Sequence, residues 1–126
     1  MIYADVDFIL ALVKKRDWLK TNAKNIYDKY KDELFISSAC LIELMLIAEK
    51  IDEEPLELIQ FALRIAELVG DEPNDYLLAC KYKKEYGLNV FDSIHIAKCR
   101  GKIISSDKKF ENIPFVEVIK LGKQQL

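Results

Sequence analysis

The sequence is short of the residues that build sites from sulfur and nitrogen: its 126 residues hold three cysteines and one histidine. Cys40, Cys80 and Cys99 stand far apart and none lies in a C-x-x-C pair. They read as buried reduced thiols, and a disulfide framework or zinc site is set aside. No apolar run approaches the roughly 20 residues that cross a bilayer. The apolar N-terminal stretch is broken by Asp5 and Asp7 and carries no basic leader or small-residue cleavage pattern, so a cytoplasmic protein without a membrane partner is expected. A basic excess is also missing: 19 Lys and Arg face 21 Asp and Glu, for a net charge of −2, which argues against holding nucleic acid by bulk positive charge. There is no internal repeat, low-complexity tract or linker. With 51% hydrophobic and 32% charged residues, the chain fits one soluble domain around one core, expected over residues 1–121, with GKQQL at 122–126 as a flexible tail.

What is present is an alternation of short apolar strands and helical patterns. MIYAD reads as a strand ending in an acid, followed by a turn over Asp5 to Asp7 and a helix through FILALV that Asp7 can cap. Ala23, Ile26, Tyr27 and Tyr30 form the i, i+3, i+4, i+7 stripe of a helix over 21–31. LFISS is a second strand, and SACLIELMLIAEK a helix starting at Ser38 with Glu43 in its second turn. Pro55 opens a helix that Gly70 ends; only Glu57, Gln60, Arg64 and Glu67 are polar in it, so it is expected to be largely buried, against the core or a second subunit. Residues 74–86 make another helix closed by Gly87, and a further helix starts near Phe91 or Asp92 and ends at Gly101. KIISSD is a strand, KKFENI a short helix or turn, and PFVEVIKL the last strand. This alternation predicts an α/β fold with a parallel sheet covered on both faces. In such folds ligands gather beyond the carboxyl ends of the strands, where Asp5 and Asp107 both fall.

Each acid has an ordinary explanation. Glu43 stands among Leu41, Ile42, Leu44 and Met45, where a carboxylate is costly unless it is exposed at a polar edge or paired. Asp92 and Asp107 each suit a helix N-cap, and Asp5 suits a turn with Asp7. Together they say more, because carboxylates crowded at one sheet edge raise one another's pKa unless a cation compensates. Hard oxygen ligands without histidine or thiolate point to Mg2+ or Mn2+, which lowers the pKa of a bound water and stabilises charge on a phosphate under attack. His95 lies three residues after Asp92 on a neighbouring helix face; a packed or surface histidine is its commoner role, and the chemistry does not need it. Setting aside Asp5, Asp7, Glu43, Asp92 and Asp107, five of the 21 acids, leaves 16 against 19 bases, a balance of +3. A metal-neutralised site therefore need not repel phosphate.

In MIYADVDFILAL, ISSACLIELMLI, NVFDSIHIAKCRG and IISSDKKFENI the chain resembles PIN domains, a family that includes toxins of bacterial and archaeal toxin–antitoxin pairs. The resemblance covers nearly the whole chain. It places the family's acids at Asp5, Glu43, Asp92 and Asp107, a small residue at Ala97 and an aromatic at Phe110. It implies a three-layer α/β/α sandwich with a central, mainly parallel sheet. It also implies metal-dependent cleavage of single-stranded RNA by one or two Mg2+ or Mn2+ held by those four acids, and homodimerisation. Where the family commonly has Thr-Asn after the first aspartate, this chain has Val6-Asp7, which removes a hydroxyl and adds a charge; Asp7 is then a candidate further metal ligand. Ser106, Lys108 and Arg100 are candidate substrate contacts, with Lys98, Lys102 and Lys109 beside them as guides for the phosphate backbone. Two rival readings stand. Asp5-Val6-Asp7 also resembles the opening of haloacid-dehalogenase-type phosphatases, though few residues remain for their later motifs. Alternatively, the apolar helices bind a partner and the acids hold a merely structural metal.

Overall fold

The computed structural model describes residues 1–14 and 18–122; residues 123–126, most of the expected tail, lie outside the described residues. Its strands β1 (Ile2–Ala4), β2 (Leu34–Ser37), β3 (Glu67–Val69), β4 (Lys102–Ser105) and β5 (Glu117–Lys120) form one sheet in the order β3-β2-β1-β4-β5. Every pairing is parallel. Among the described residues, six helices flank it: α1 (Val6–Val13), α2 (Lys20–Tyr30), α3 (Ser38–Ile51), α4 (Pro55–Ile65), α5 (Pro73–Tyr86) and α6 (Val90–Lys98). The alternation read from the sequence is therefore the α/β sandwich expected, with no antiparallel strand among the described residues.

The central strands explain why a parallel sheet forms. Every residue of β1 and β2 is buried, as are Ile103, Ile104 and Ser105 of β4, so both faces must be covered by helices. Tyr3, Phe8, Ile36, Leu44, Leu58, Ile103 and Phe110 are among the fully buried side chains that fill the interior. Phe110 enters from a 3₁₀ turn, Lys108–Asn112, between β4 and β5.

Three expectations change. The first helix begins at Val6, and its cap is Asp5, not Asp7: the Asp5 carboxylate accepts from the Val6 N–H at 2.8 Å. The helix expected to run from Pro55 to Gly70 stops at Ile65, where Ala66 turns extended, and residues 67–69 become the edge strand β3. No breaker precedes Gly70, and a three-residue edge strand carries too little pattern to interrupt the helical period of Leu58, Ala62, Ile65 and Val69. That helix is also less buried than expected, with Leu56 62% and Leu63 46% exposed. Of the cysteines, Cys40 and Cys99 are buried reduced thiols as read, whereas Cys80 is exposed. No helix among the described residues is long and apolar enough to cross a membrane.

Candidate functional site

The carboxyl ends of β1, β2 and β4 deliver the acids. Chain leaving β1 passes at once through Asp5 into α1, whose first turn carries Asp7, chain leaving β2 enters α3 with Glu43 in its second turn, and chain leaving β4 passes through Ser106 and Asp107. Asp92 arrives separately on α6. That helix is capped by Asn89, whose side-chain oxygen accepts from the Asp92 N–H at 2.8 Å, so Asp92 is not the cap and its carboxyl is not used in that role. Asp107 does cap, accepting from Lys109 N–H at 2.9 Å through one oxygen.

Hydrogen bonds fasten the acids to the scaffold. Asp5 is 8% exposed; its Oδ1 accepts from Val6 and its Oδ2 from the Ser105 hydroxyl at 2.6 Å. The same hydroxyl accepts from the Asp107 N–H at 3.0 Å. Asp7 Oδ2 accepts from the Ser106 N–H at 2.8 Å and from the Ser106 hydroxyl, while its buried Oδ1 meets no donor among the described residues. Glu43 Oε1 accepts from His95 Nε2 at 2.7 Å, and that nitrogen lies 4.0 Å from Asp5 Oδ1. One ligand atom from each of Asp5, Glu43 and His95 falls within 4.8 Å of the others, a spacing that can hold a metal ion.

Burial, and to a lesser degree neighbouring charge, shifts these acids. Burial, opposed by His95 and the hydrogen bonds, pushes the Asp5 carboxyl up. Asp7 is pushed up to about 7, by burial first and then by the charge of Asp5. Asp92 is raised by burial and then by Asp107, with Glu43 adding to it and His95 and Lys109 opposing. Burial works against a charge on His95, but its contacts with Cys40, Glu43 and Asp5 outweigh that and raise it well above 6.5. Carboxylates that raise one another, presented as hard oxygen donors with an orphan oxygen beside them, fit a divalent cation.

Two of the expected phosphate guides are otherwise engaged. The Arg100 guanidinium grips the buried Asp75 carboxylate at 2.9 and 3.3 Å, and Lys98 pairs with Asp71 at 2.7 Å and Asp75 at 3.5 Å. Lys102 stands at the start of β4, the end opposite Asp107, beside Glu117. Lys108 and Lys109 remain exposed beside Asp107. The sequence reading also missed residues. Tyr3, Ser37 and Ser105 are not singled out, and His95 reads as dispensable, because their partners are from 34 to 100 positions away.

A family model described as PIN domain matches residues 2–116. No curated protein matches the chain. Among solved structures, the chain is similar to a toxin–antitoxin complex from Klebsiella pneumoniae, with TM-score 0.76 and 21% identity over 98% of this chain and 100% of that one. It is similar to DNA-bound VapBC from Salmonella typhimurium at TM-score 0.72 and 18% identity, covering 97% and 100%. VapBC2 from Rickettsia felis, bound to a fragment of promoter DNA, gives TM-score 0.72 and 16% identity, covering 95% and 98%.

Proposed function

This chain belongs to the PIN domain family, and from that premise we propose that it is a metal-dependent endoribonuclease hydrolysing phosphodiester bonds of single-stranded RNA. The observation that carries the reading is that Asp5, Glu43, Asp92 and Asp107, from four separate elements, lie at the carboxyl edge of a parallel sheet, with Asp5 and Glu43 within ligand distance of each other and Asp92 raised by burial and by the charges of Asp107 and Glu43. These four acids would hold Mg2+ or Mn2+, which supplies a low-pKa water and stabilises charge on the phosphate. Asp5 is aimed by Ser105 and Val6, and Asp107 is held by Ser105 through its backbone. Asp7 has one oxygen committed to Ser106 and offers Oδ1 as a further donor. Lys108 and Lys109, open beside Asp107, are the cations placed to attract the RNA backbone.

An antitoxin protein is the proposed physiological partner, supported by the likeness to the Klebsiella toxin–antitoxin complex. A homodimer is proposed as well, and the apolar side chains left open on α3 and α4, such as Ile42, Met45, Leu56 and Leu63, support a protein contact. The phosphatase reading is given up, since the family match spans nearly the whole chain.

The test incubates pure protein with single-stranded and structured RNA in Mn2+ or EDTA, beside Asp5→Asn and Asp92→Asn. Cleavage should require the ion and the single strand and fall at least a hundredfold in either variant. Cleavage that persists in EDTA, or in both variants, refutes the proposal. An intact partner complex with no cleavage under any condition favours the non-catalytic module.

A further inference from the structure

Behind the acids runs a chain of buried polar groups that the hydrolysis itself does not use. Ser37 at the end of β2 bonds the Tyr3 hydroxyl of β1 at 2.7 Å, and Tyr3 bonds His95 Nδ1 of α6 at 2.6 Å. His95 in turn bonds Glu43 of α3 through Nε2. Tyr3 and His95 are completely buried and Ser37 nearly so. The Cys40 thiol adds a donor to the Tyr3 oxygen at 3.1 Å. Phe35 meets the tyrosine ring edge-on at 5.3 Å, and Phe91 stacks on the imidazole at 6.4 Å.

A buried hydroxyl and imidazole cost stability unless they are bonded, and a phenylalanine with an apolar neighbour would fill the same space without that cost. The chain of groups ends in a hydrogen bond to the Glu43 carboxylate, with Asp5 Oδ1 farther off at 4.0 Å. A carboxylate only accepts, so Nε2 carries a proton toward Oε1. The Tyr3 hydroxyl either donates to Nδ1 or accepts from it, and in both arrangements that Nε2 proton stays in place. With Oε1 held, a glutamate that would otherwise rotate about three side-chain bonds is fixed in one rotamer.

We propose that Tyr3 and His95 are positioning residues: Tyr3 fixes the imidazole, and the imidazole holds Glu43 in the orientation that receives the ion, without His95 becoming a ligand. This inference rests on the acids holding a divalent ion as proposed above. Partners placed this way around metal ligands alter affinity by about 10- to 100-fold.

The experiment uses the full chain, Tyr3→Phe and His95→Gln. Mn2+ binding is measured by calorimetry without RNA, and cleavage is followed from limiting to saturating Mn2+. Because the chain has a single histidine, ¹⁵N spectra of the imidazole are read directly, before and after Mg2+ is added. Tyr3→Phe should bind Mn2+ about tenfold more weakly, recover its kcat at saturating Mn2+ and keep the KM for RNA, while wild-type His95 keeps its Nε2 proton with Mg2+ bound. Wild-type affinity in Tyr3→Phe overturns the proposal, as does loss of the Nε2 proton on Mg2+ binding. If Tyr3→Phe does not fold, His95→Gln decides by the same affinity criterion. A protein that binds Mn2+ but cuts no RNA refutes the ribonuclease reading alone, because the affinity comparison needs no substrate.

Discussion

Replacing Asp7 by asparagine should stabilise the metal-free protein, and should do so more at pH 8 than at pH 4. Burial and the neighbouring Asp5 push the Asp7 carboxyl from its ordinary 3.8 up to about 7. A carboxyl whose folded value is raised binds its proton more tightly in the folded state, so its favourable contribution is complete below about pH 4 and is lost as pH climbs to 7. The full distance between the two values corresponds to about 4 kcal/mol at roughly 1.4 kcal/mol per tenfold change. Asp7 is only partly buried, and solvent screening brings the expectation to about 2 kcal/mol. An asparagine oxygen can still accept the two Ser106 bonds, and the amide carries no charge to pay that penalty. Urea unfolding in EDTA at both pH values, for wild type and variant, measures the difference directly. For a domain of this size, 2 kcal/mol is worth roughly 8 °C in Tm. The Asp5 and Asp92 carboxyls titrate in both proteins and largely cancel. An advantage for Asp7→Asn that is the same at pH 4 and pH 8, or that reverses, refutes the claim that Asp7 is a destabilising buried charge.

Mn2+ added at about a hundred times its Kd should stabilise the folded wild type by about 2.7 kcal/mol, seen as a Tm rise that EDTA reverses; Asp5→Asn should show little of it, and an equal rise in both would place the ion elsewhere. Arg100→Ala should cost about 1 kcal/mol in urea unfolding, because it leaves the buried Asp75 to Lys98 alone while the guanidinium itself is largely exposed. RNA affinity should not change in that variant, and a large loss would restore Arg100 to the substrate surface.

The sequence by itself determined the class of this protein and the order of its acids. Burial of the central strands demanded short unbroken apolar runs, which stay visible as IYA, LFI and II between helical stripes, and an acid at a strand end lies at the sheet's carboxyl edge whatever the packing. What the sequence could not decide was which group satisfies which. Asp7, Asp92 and Asp107 read as caps and Asp5 as a turn residue, whereas the tertiary structure chose Asp5, Asn89 and Asp107, keeping Asp92 out of that role and giving Asp7 to Ser106. The strand β3 exists only because β2 has a free edge for residues 67–69 to join. His95 gained its place the same way: its bonds to Tyr3 and Glu43 span 92 and 52 positions. Local patterns record propensity and burial, whereas long-range hydrogen bonds between single polar side chains leave no periodic trace, so only the folded chain reveals them.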